Sequence, residues 1–464
     1  MQVVANAGLN FTRGDFLNLG ANTLNNFAEI GIFPFSTSVN KSDRLSIGGC
    51  DLRELAETFG TPLYIYDEET IRTMCRNFLD EFKLAYKNTR IEYSTKAFSN
   101  LSIIRIMEQE GLDIDVVTGG ELAVAIASKF PANRINFHGN NKTTTELNEG
   151  LTYGIGTVTL DSFHEIKVLS KIANEKSIKQ TVMLRVSPSI DPHTHLLTTT
   201  GILDSKFGFS IETGDAEKAI IDVMADDNLN LEGLHFHLGS PIFEIEPYTQ
   251  AIDYVMKFSA VMRDKYGFKL DRFSPGGGFA IDYITNNPSP PISKYANAIS
   301  TSVRACCQLY GFNEPELVVE PGRAIVGKAG VALYTVGGIK TIPNVRTYVS
   351  VDGGMGDNIR PALYGAEYSV VSVDGPHRKK DTKVTIAGKF CESGDILATD
   401  VLIPKLNTGD LIAIPASGAY CVPMASNYNM QVRPAIVMVK DNVPRLIRRR
   451  ETYEDLLATN LDVN

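Results

Sequence analysis

The sequence predicts an α/β protein: an eight-stranded (β/α) barrel of the TIM type with a C-terminal all-β domain. Three observations predict it. Eight short β-prone runs recur from residue 91 to about 320, separated by segments with helical apolar spacing. That alternation means βα units and a parallel sheet. Side chains able to do chemistry fall at or just past the ends of these runs, as they do where barrel strands converge on one face. After about residue 330, strands follow one another without long helices, which reads as an all-β unit.

Taken in order, the runs are "IEYSTKA", "LDIDVVTGG", "RINFHGNN", "GTVTLDS", "TVMLRVSP", "LEGLHFHLGS", "DRFSPGGGF" and "ELVVEPGR". Helical spacing marks "NLSIIRIMEQEG", "GELAVAIASKF", "SFHEIKVLSKIANE" and "YTQAIDYVMKFSAVMRDKYG". A doubly wound open sheet is the main competitor, but it has no reason to stop at eight strands. "GVALYTVGGIKTI", "RTYVSVDGG", "KVTIAGKFC", "DLIAIPASGAY" and "RPAIVMVK" supply the β domain, with a strand from "SIGGCDLRELAETFGTPLYIYDEE" as a candidate addition. The expected organisation is a poorly ordered extension over 1–40, a barrel over 68–328, and a β domain assembled from 41–67 and 329–464.

The chain has 464 residues and a formal net charge of −9. An acidic balance argues against nucleic acid, whose phosphates need a basic face. It leaves room for a small anionic ligand held by a few arginines. No run of eighteen apolar residues occurs, so no membrane span is expected. The first residues lack a basic leader with an apolar core, so a secretory signal is not expected. The six cysteines form no CxxC and no Cys/His group with zinc spacing. A cytoplasmic location is therefore the expectation.

Lys96 stands at the inner end of the first barrel run. It reads either as a snorkelling surface lysine or as an amine in a dry site, able to form an imine with a carbonyl compound. "SPGGGF" offers Gly276, Gly277 and Gly278, whose backbone N–H groups could approach a phosphate. "VVEPGR" offers Glu320 and Arg323: a strand-end salt bridge, or a carboxylate for a basic ring nitrogen beside an arginine for an anion. "LHFHLGS" puts His235 and His237 on one strand face, as metal ligands, as a ring stacked on a planar cofactor, or as packed core. Metal ranks last for want of an obvious third ligand, although His193 and His195 form a second HxH pair. "KFCESGD" carries Cys391, Glu392 and Asp395: a buried small hydrophobe, or a thiol acid/base beside a carboxylate. "DNIRPALYG" sets Arg360 and Tyr364 at helical spacing, a solvated arginine or a carboxylate clamp. Imine lysine, glycine nest, ring-nitrogen carboxylate and stacking histidine together describe a pyridoxal 5′-phosphate site.

These stretches, with "DVVTGGEL", "VDGGMGDNIRPALY", "CESGD" and "SGAY", make the chain resemble the fold-type III pyridoxal-phosphate-dependent decarboxylases, and among them those acting on diaminopimelate. The similarity runs over nearly everything after the first forty residues. It implies that Lys96 carries the cofactor, His237 stacks on its ring and Glu320 pairs with the ring nitrogen. It implies that Ser240, Gly276, Gly277, Gly278, Arg323 and Tyr420 surround the phosphate. Arg323, Arg360, Tyr364 and Tyr420 would meet the substrate, Glu392 its far ammonium, and Cys391 would return a proton to the carbanion. The implied reaction is decarboxylation of meso-2,6-diaminopimelate to L-lysine, in a homodimer whose subunits share their active sites. A polyamine-precursor decarboxylase, for instance of carboxynorspermidine, and a non-enzymatic pyridoxal-phosphate binder are the alternatives. Two positions depart from the pattern: Pro241 replaces a usual glutamine, and "YGAEYS" lacks a histidine often found there.

Overall fold

Eight parallel strands close into a barrel, in a computed structural model that describes residues 27–191, 199–201 and 204–462. A strand outside the barrel, β1 (Leu63–Asp67), leads into the helix Glu68–Ala85. The barrel strands are β2 (Thr89–Ser94), β3 (Asp113–Val116), β4 (Ile135–Phe137), β5 (Thr157–Leu160), β6 (Gln180–Ser187), β7 (Leu229–His235), β8 (Arg272–Ser274) and β9 (Glu316–Val319). Each pairs with the next in parallel, and β9 returns to β2 through Leu317 opposite Thr89 and Val319 opposite Ile91. The expected closed barrel is therefore found rather than the open doubly wound sheet.

Most of the strands carry β-branched residues, and their carboxyl halves are buried on both faces, as a parallel barrel wall requires. The turns that follow end in polar residues that cap the next helix. Asn100 accepts from Ser102 N–H (2.9 Å), Thr118 from Glu121 N–H (3.3 Å) and Ser162 from Glu165 N–H (3.3 Å), while Thr143 and Glu146 form a reciprocal capping box. Each such cap is worth about 1 kcal/mol. The caps also stop the chain at the carboxyl ends of the strands, so that the side chains there stay on one face.

Ser38–Val39, Leu45–Ile47 and Cys50–Asp51 form a small three-stranded sheet; seven strands after the barrel join β1 in a larger second sheet. They are β10 (Gly330–Ile342), β11 (Arg346–Val351), β12 (Thr382–Ala387), β13 (Ile396–Ile403), β14 (Leu411–Ile414), β15 (Ala435–Lys440) and β16 (Val443–Arg448). Its order is β13-β12-β11-β10-β1-β15-β16, with β14 on β10. β1 lies antiparallel to β10 and parallel to β15. The sequence did not mark β13 or β16. Both are half-exposed edge elements whose apolar residues do not form a continuous run.

One large apolar core fills the barrel wall and the seam to this sheet. A smaller one gathers Phe27, Ile32, Phe33, Leu45, Ile47, Leu52 and Leu55 against Val331, Leu333 and Val437. The extension expected over 1–40 thus divides: residues 1–26 lie outside the described residues, and Phe27 onward is packed. Among the described residues, no helix is long and apolar enough to cross a membrane.

Candidate active site

The site is built on barrel register. Parallel pairing sets Ser94 opposite Asp115, and His235 opposite both Arg185 and Ser274. Lys96 follows Ser94 in a single 3-10 turn, Thr95–Ala97. Its side chain is 38% exposed, into a cavity of about 520 Å³ at the carboxyl end of the barrel. The Nζ lies 3.9 Å from Asp115 Oδ2. Burial would lower the lysine's pKa, but Asp115, Tyr420 and Glu320 outweigh it and hold it above its ordinary value. Burial raises Asp115 in turn, against the pull of Lys96.

Glu320, just past β9, is 3% exposed. Its Oε1 accepts from Ser274 Oγ–H at 2.7 Å and its Oε2 is 3.1 Å from His235 Nε2. His138 Nε2 lies 3.8 Å from Oε1. Burial opposes the charge on Glu320, but His235, then His138 and Lys96, overcome it and hold the carboxyl well below the usual range. His138, His235 and Glu320 offer ligand atoms within 4.8 Å of one another, which a metal ion could use. The 3.1 Å contact between His235 and Glu320 is a hydrogen bond. His193 and His195, the other half of the four-histidine reading, lie outside the described residues.

The glycine run forms a cradle. Gly276 has φ +75° and Gly278 φ +112°, where a side chain is strained. A Cβ on Gly277 would stand 2.1 Å from the Glu320 carbonyl oxygen. Gly277 N–H donates to His237 Nδ1 at 3.3 Å, turning that ring toward the cavity it lines. Burial, helped by Lys96 and Arg185, pushes His237 well below the ordinary histidine range, so the ring is neutral. Opposite the glycines, Arg323 Nε donates to Ser240 Oγ at 3.3 Å, and its guanidinium lies 4.8 Å from the Tyr420 ring centroid. Tyr420 itself holds a left-handed φ of 61° beside the cavity. Such backbone strain clusters at functional sites.

Arg360, 5% exposed, opens the short helix Arg360–Tyr364 and lines another wall. It donates to Tyr368 OH, which contacts Cys421 Sγ at 3.6 Å. Tyr283 stands between the two cavity arginines: Arg323 donates to its OH, and the Arg360 guanidinium lies 4.8 Å from its ring centroid. Sequence reasoning missed Tyr283 and Tyr368. The available signals were the nearness of Tyr283 to the glycine run and the position of Tyr368 within "YGAEYS".

Most residues expected at the site are brought together. Lys96, His237, Ser240, Arg323, Arg360, Tyr364 and Tyr420 line the main cavity, and Glu320 and Gly278 line a small recess opening off it. Pro241 also lines the cavity. Cys391 and Glu392 do not: both are exposed on the turn between β12 and β13. Asp395 shapes that turn, accepting from Met355 N–H (2.6 Å) and Phe390 N–H (2.8 Å).

A reachable amine, a charged carboxylate in a dry recess, a neutral flat imidazole and a glycine cradle facing an arginine fit pyridoxal phosphate, with its aldehyde, ring nitrogen, ring face and phosphate. Residues 68–327 match the family described as "Pyridoxal-dependent decarboxylase, pyridoxal binding domain". The chain belongs to that family, and pyridoxal phosphate is its cofactor. Two relatives named diaminopimelate decarboxylase are 44% identical over 91% of this chain and 96% of theirs (Bacillus subtilis), and 42% identical over 90% and 97% (Bacillus methanolicus). The structure of the M. jannaschii diaminopimelate decarboxylase in complex with L-lysine superposes with a TM-score of 0.84, at 34% identity over 92% of this chain and 98% of that one.

Proposed function

We propose that this chain decarboxylates meso-2,6-diaminopimelate to L-lysine and CO₂, as the enzyme of a lysine-forming step. The observation that carries this reading is Arg360: a buried guanidinium on the wall of the cavity that also holds Lys96. A substrate with a second amino-acid group matches it. A substrate whose far end is only cationic, as in ornithine or a polyamine precursor, meets repulsion there. Relatives carrying the diaminopimelate decarboxylase name over more than nine-tenths of their length support the same substrate.

Bound in the cavity, pyridoxal phosphate supplies an electron sink for the pair left behind when CO₂ departs. The chain's residues do the rest. Lys96 Nζ would hold the cofactor through its aldehyde carbon, the position the substrate amine competes for. Gly276, Gly277, Gly278, Ser240, Arg323 and Tyr420 would surround its phosphate, with Arg323 as the counter-charge. His237 would present a neutral face to the ring. Glu320, kept ionised, would hold a proton on the ring nitrogen. Arg360 and Tyr364, with Arg323, grip the far carboxylate. An enzyme that pairs such remote charges rejects analogues lacking them, because its own charges would be left unpaired.

The proton to Cα comes from Cys391, and the far ammonium meets Glu392. Both are exposed and neither lines the cavity of its own chain; as the family resemblance implies, they act as Cys391 of the partner subunit and Glu392 of the partner subunit in a homodimer with shared sites. A working thiol suits the reducing cytoplasm.

The test is borohydride reduction of the coloured protein, followed by peptide mapping, with CO₂ release measured on a panel of amino acids. The label is expected on Lys96 and release from meso-diaminopimelate alone. A label elsewhere, or turnover confined to ornithine or carboxynorspermidine, overturns the reading.

A further inference from the structure

We propose that His235 and Ser274 are positioning residues for the ring-nitrogen carboxylate, clamping both oxygens of Glu320 so that it meets the cofactor in one orientation and one charge state. This rests on the cofactor-site reading above and adds to it a second tier of residues. The observation is that neither Glu320 oxygen is left to choose its own partner. Ser274 Oγ–H donates to Oε1 at 2.7 Å, and His235 Nε2 approaches Oε2 at 3.1 Å. An ionised carboxylate can only accept, so the His235 proton sits on Nε2. His235 Nδ1, buried, has no hydrogen-bond partner among the described residues, consistent with a ring placed solely for its Nε2 contact.

The clamp is built into the barrel wall. His235 and Ser274 are paired in register on neighbouring strands β7 and β8, next to the strand that ends in Glu320. Behind them runs a buried polar column. His138 lies edge-on to His235, with ring centroids 4.8 Å apart, and its Nε2 is 3.4 Å from Thr159 Oγ1. Thr159 donates to Asn136 Oδ1 at 3.0 Å, and Asn136 donates to Glu92 Oε2 at 3.1 Å. Burial first, then Glu320, keeps Glu92 well above the usual carboxyl range, hence neutral. Of the two buried glutamates joined by this column, only the one beside the cavity keeps its charge. Such divergence within a linked pair assigns their roles.

The test uses the cofactor-loaded enzyme and three variants: Ser274→Ala, His235→Leu and His235→Asn, the last retaining an N–H donor. His235→Leu is expected to lower kcat by about 10- to 100-fold, as for one lost hydrogen bond to a charged group, with KM nearly unchanged. Its cofactor absorption is expected to move from the long-wavelength to the short-wavelength band, because the ring nitrogen's charge partner has slackened. Ser274→Ala moves both readouts the same way by less, and His235→Asn restores part of each. Wild-type absorption and kcat in both Ser274→Ala and His235→Leu overturn the proposal, as does a lowered Tm with no spectral change. If His235→Leu fails to fold, Ser274→Ala decides alone. A wild-type enzyme without a chromophore sinks the cofactor reading instead, so the two failures are separable.

Discussion

At the scale of single residues, the cavity depends on charges that are buried but not neutralised by their neighbours. Arg360 is the clearest case: its hydrogen bond goes to a tyrosine hydroxyl and its flat faces to aromatic rings, leaving its charge for a ligand. Arg360→Gln is expected to raise KM for meso-diaminopimelate by about 10- to 100-fold, the worth of a hydrogen-bonded charge pair, with a smaller effect on kcat. Steady-state kinetics on the purified variant checks it. Lys96, Glu320 and the glycine run were legible in the sequence because a barrel turns strand ends into a shared site. Tyr283 and Tyr368 were not, because a tyrosine in a loop carries no periodic signal, and their role comes from arginines distant in sequence.

At the scale of elements, the turn between β12 and β13 is shaped by Asp395, with Asn429 accepting from Cys391 N–H at 2.8 Å on its outer side. Burial raises the pKa of Asp395 while two backbone N–H groups hold it down. Close packing surrounds it: a Cβ on Gly388 would stand 2.1 Å from Asp395 Oδ2. Asp395→Ala leaves both donors unpaired and is expected to cost about 1–3 kcal/mol, read as a lower Tm, with kcat falling because the neighbouring Cys391 loses its place. Asp357 plays a comparable part in the second sheet, where Tyr64 of β1 and Tyr334 of β10 both donate to its Oδ1. Burial pushes its carboxyl up to about 6 despite the donations from Tyr334, Gly354 and Tyr64. The folded state thus favours its protonated form. That contribution is fully present below about pH 4 and is lost as pH rises through about 6. Compared with the wild type, Asp357→Asn is expected to gain relative stability across that window, measured as the difference in Tm at pH 4 and pH 7.

At the scale of the whole molecule, the proposed function requires a second chain to complete each site. Cys391 and Glu392 are exposed while the cavity that needs a proton donor lies elsewhere. Two inactive variants therefore complement each other. Lys96→Ala and Cys391→Ala, unfolded together and refolded as a 1:1 mixture, are expected to recover about a quarter of wild-type activity, since half the dimers are mixed and each holds one intact site. No recovery, with mixed dimers present by mass spectrometry, would mean that each chain supplies its own thiol.

The sequence by itself determined the barrel, the β domain and the chemistry-bearing positions at the strand ends. Local periodicity and turn chemistry are properties of short stretches of chain, and the βα rhythm leaves few ways to close them. Only the tertiary structure decided which of those groups meet. Strand register set His235 and Ser274 on the two oxygens of Glu320 and put Asp115 beside Lys96. Packing placed Tyr283 between two arginines and left the Cys391 turn facing outward. These are contacts between residues tens to hundreds of positions apart, and their energies exist only once the barrel has closed.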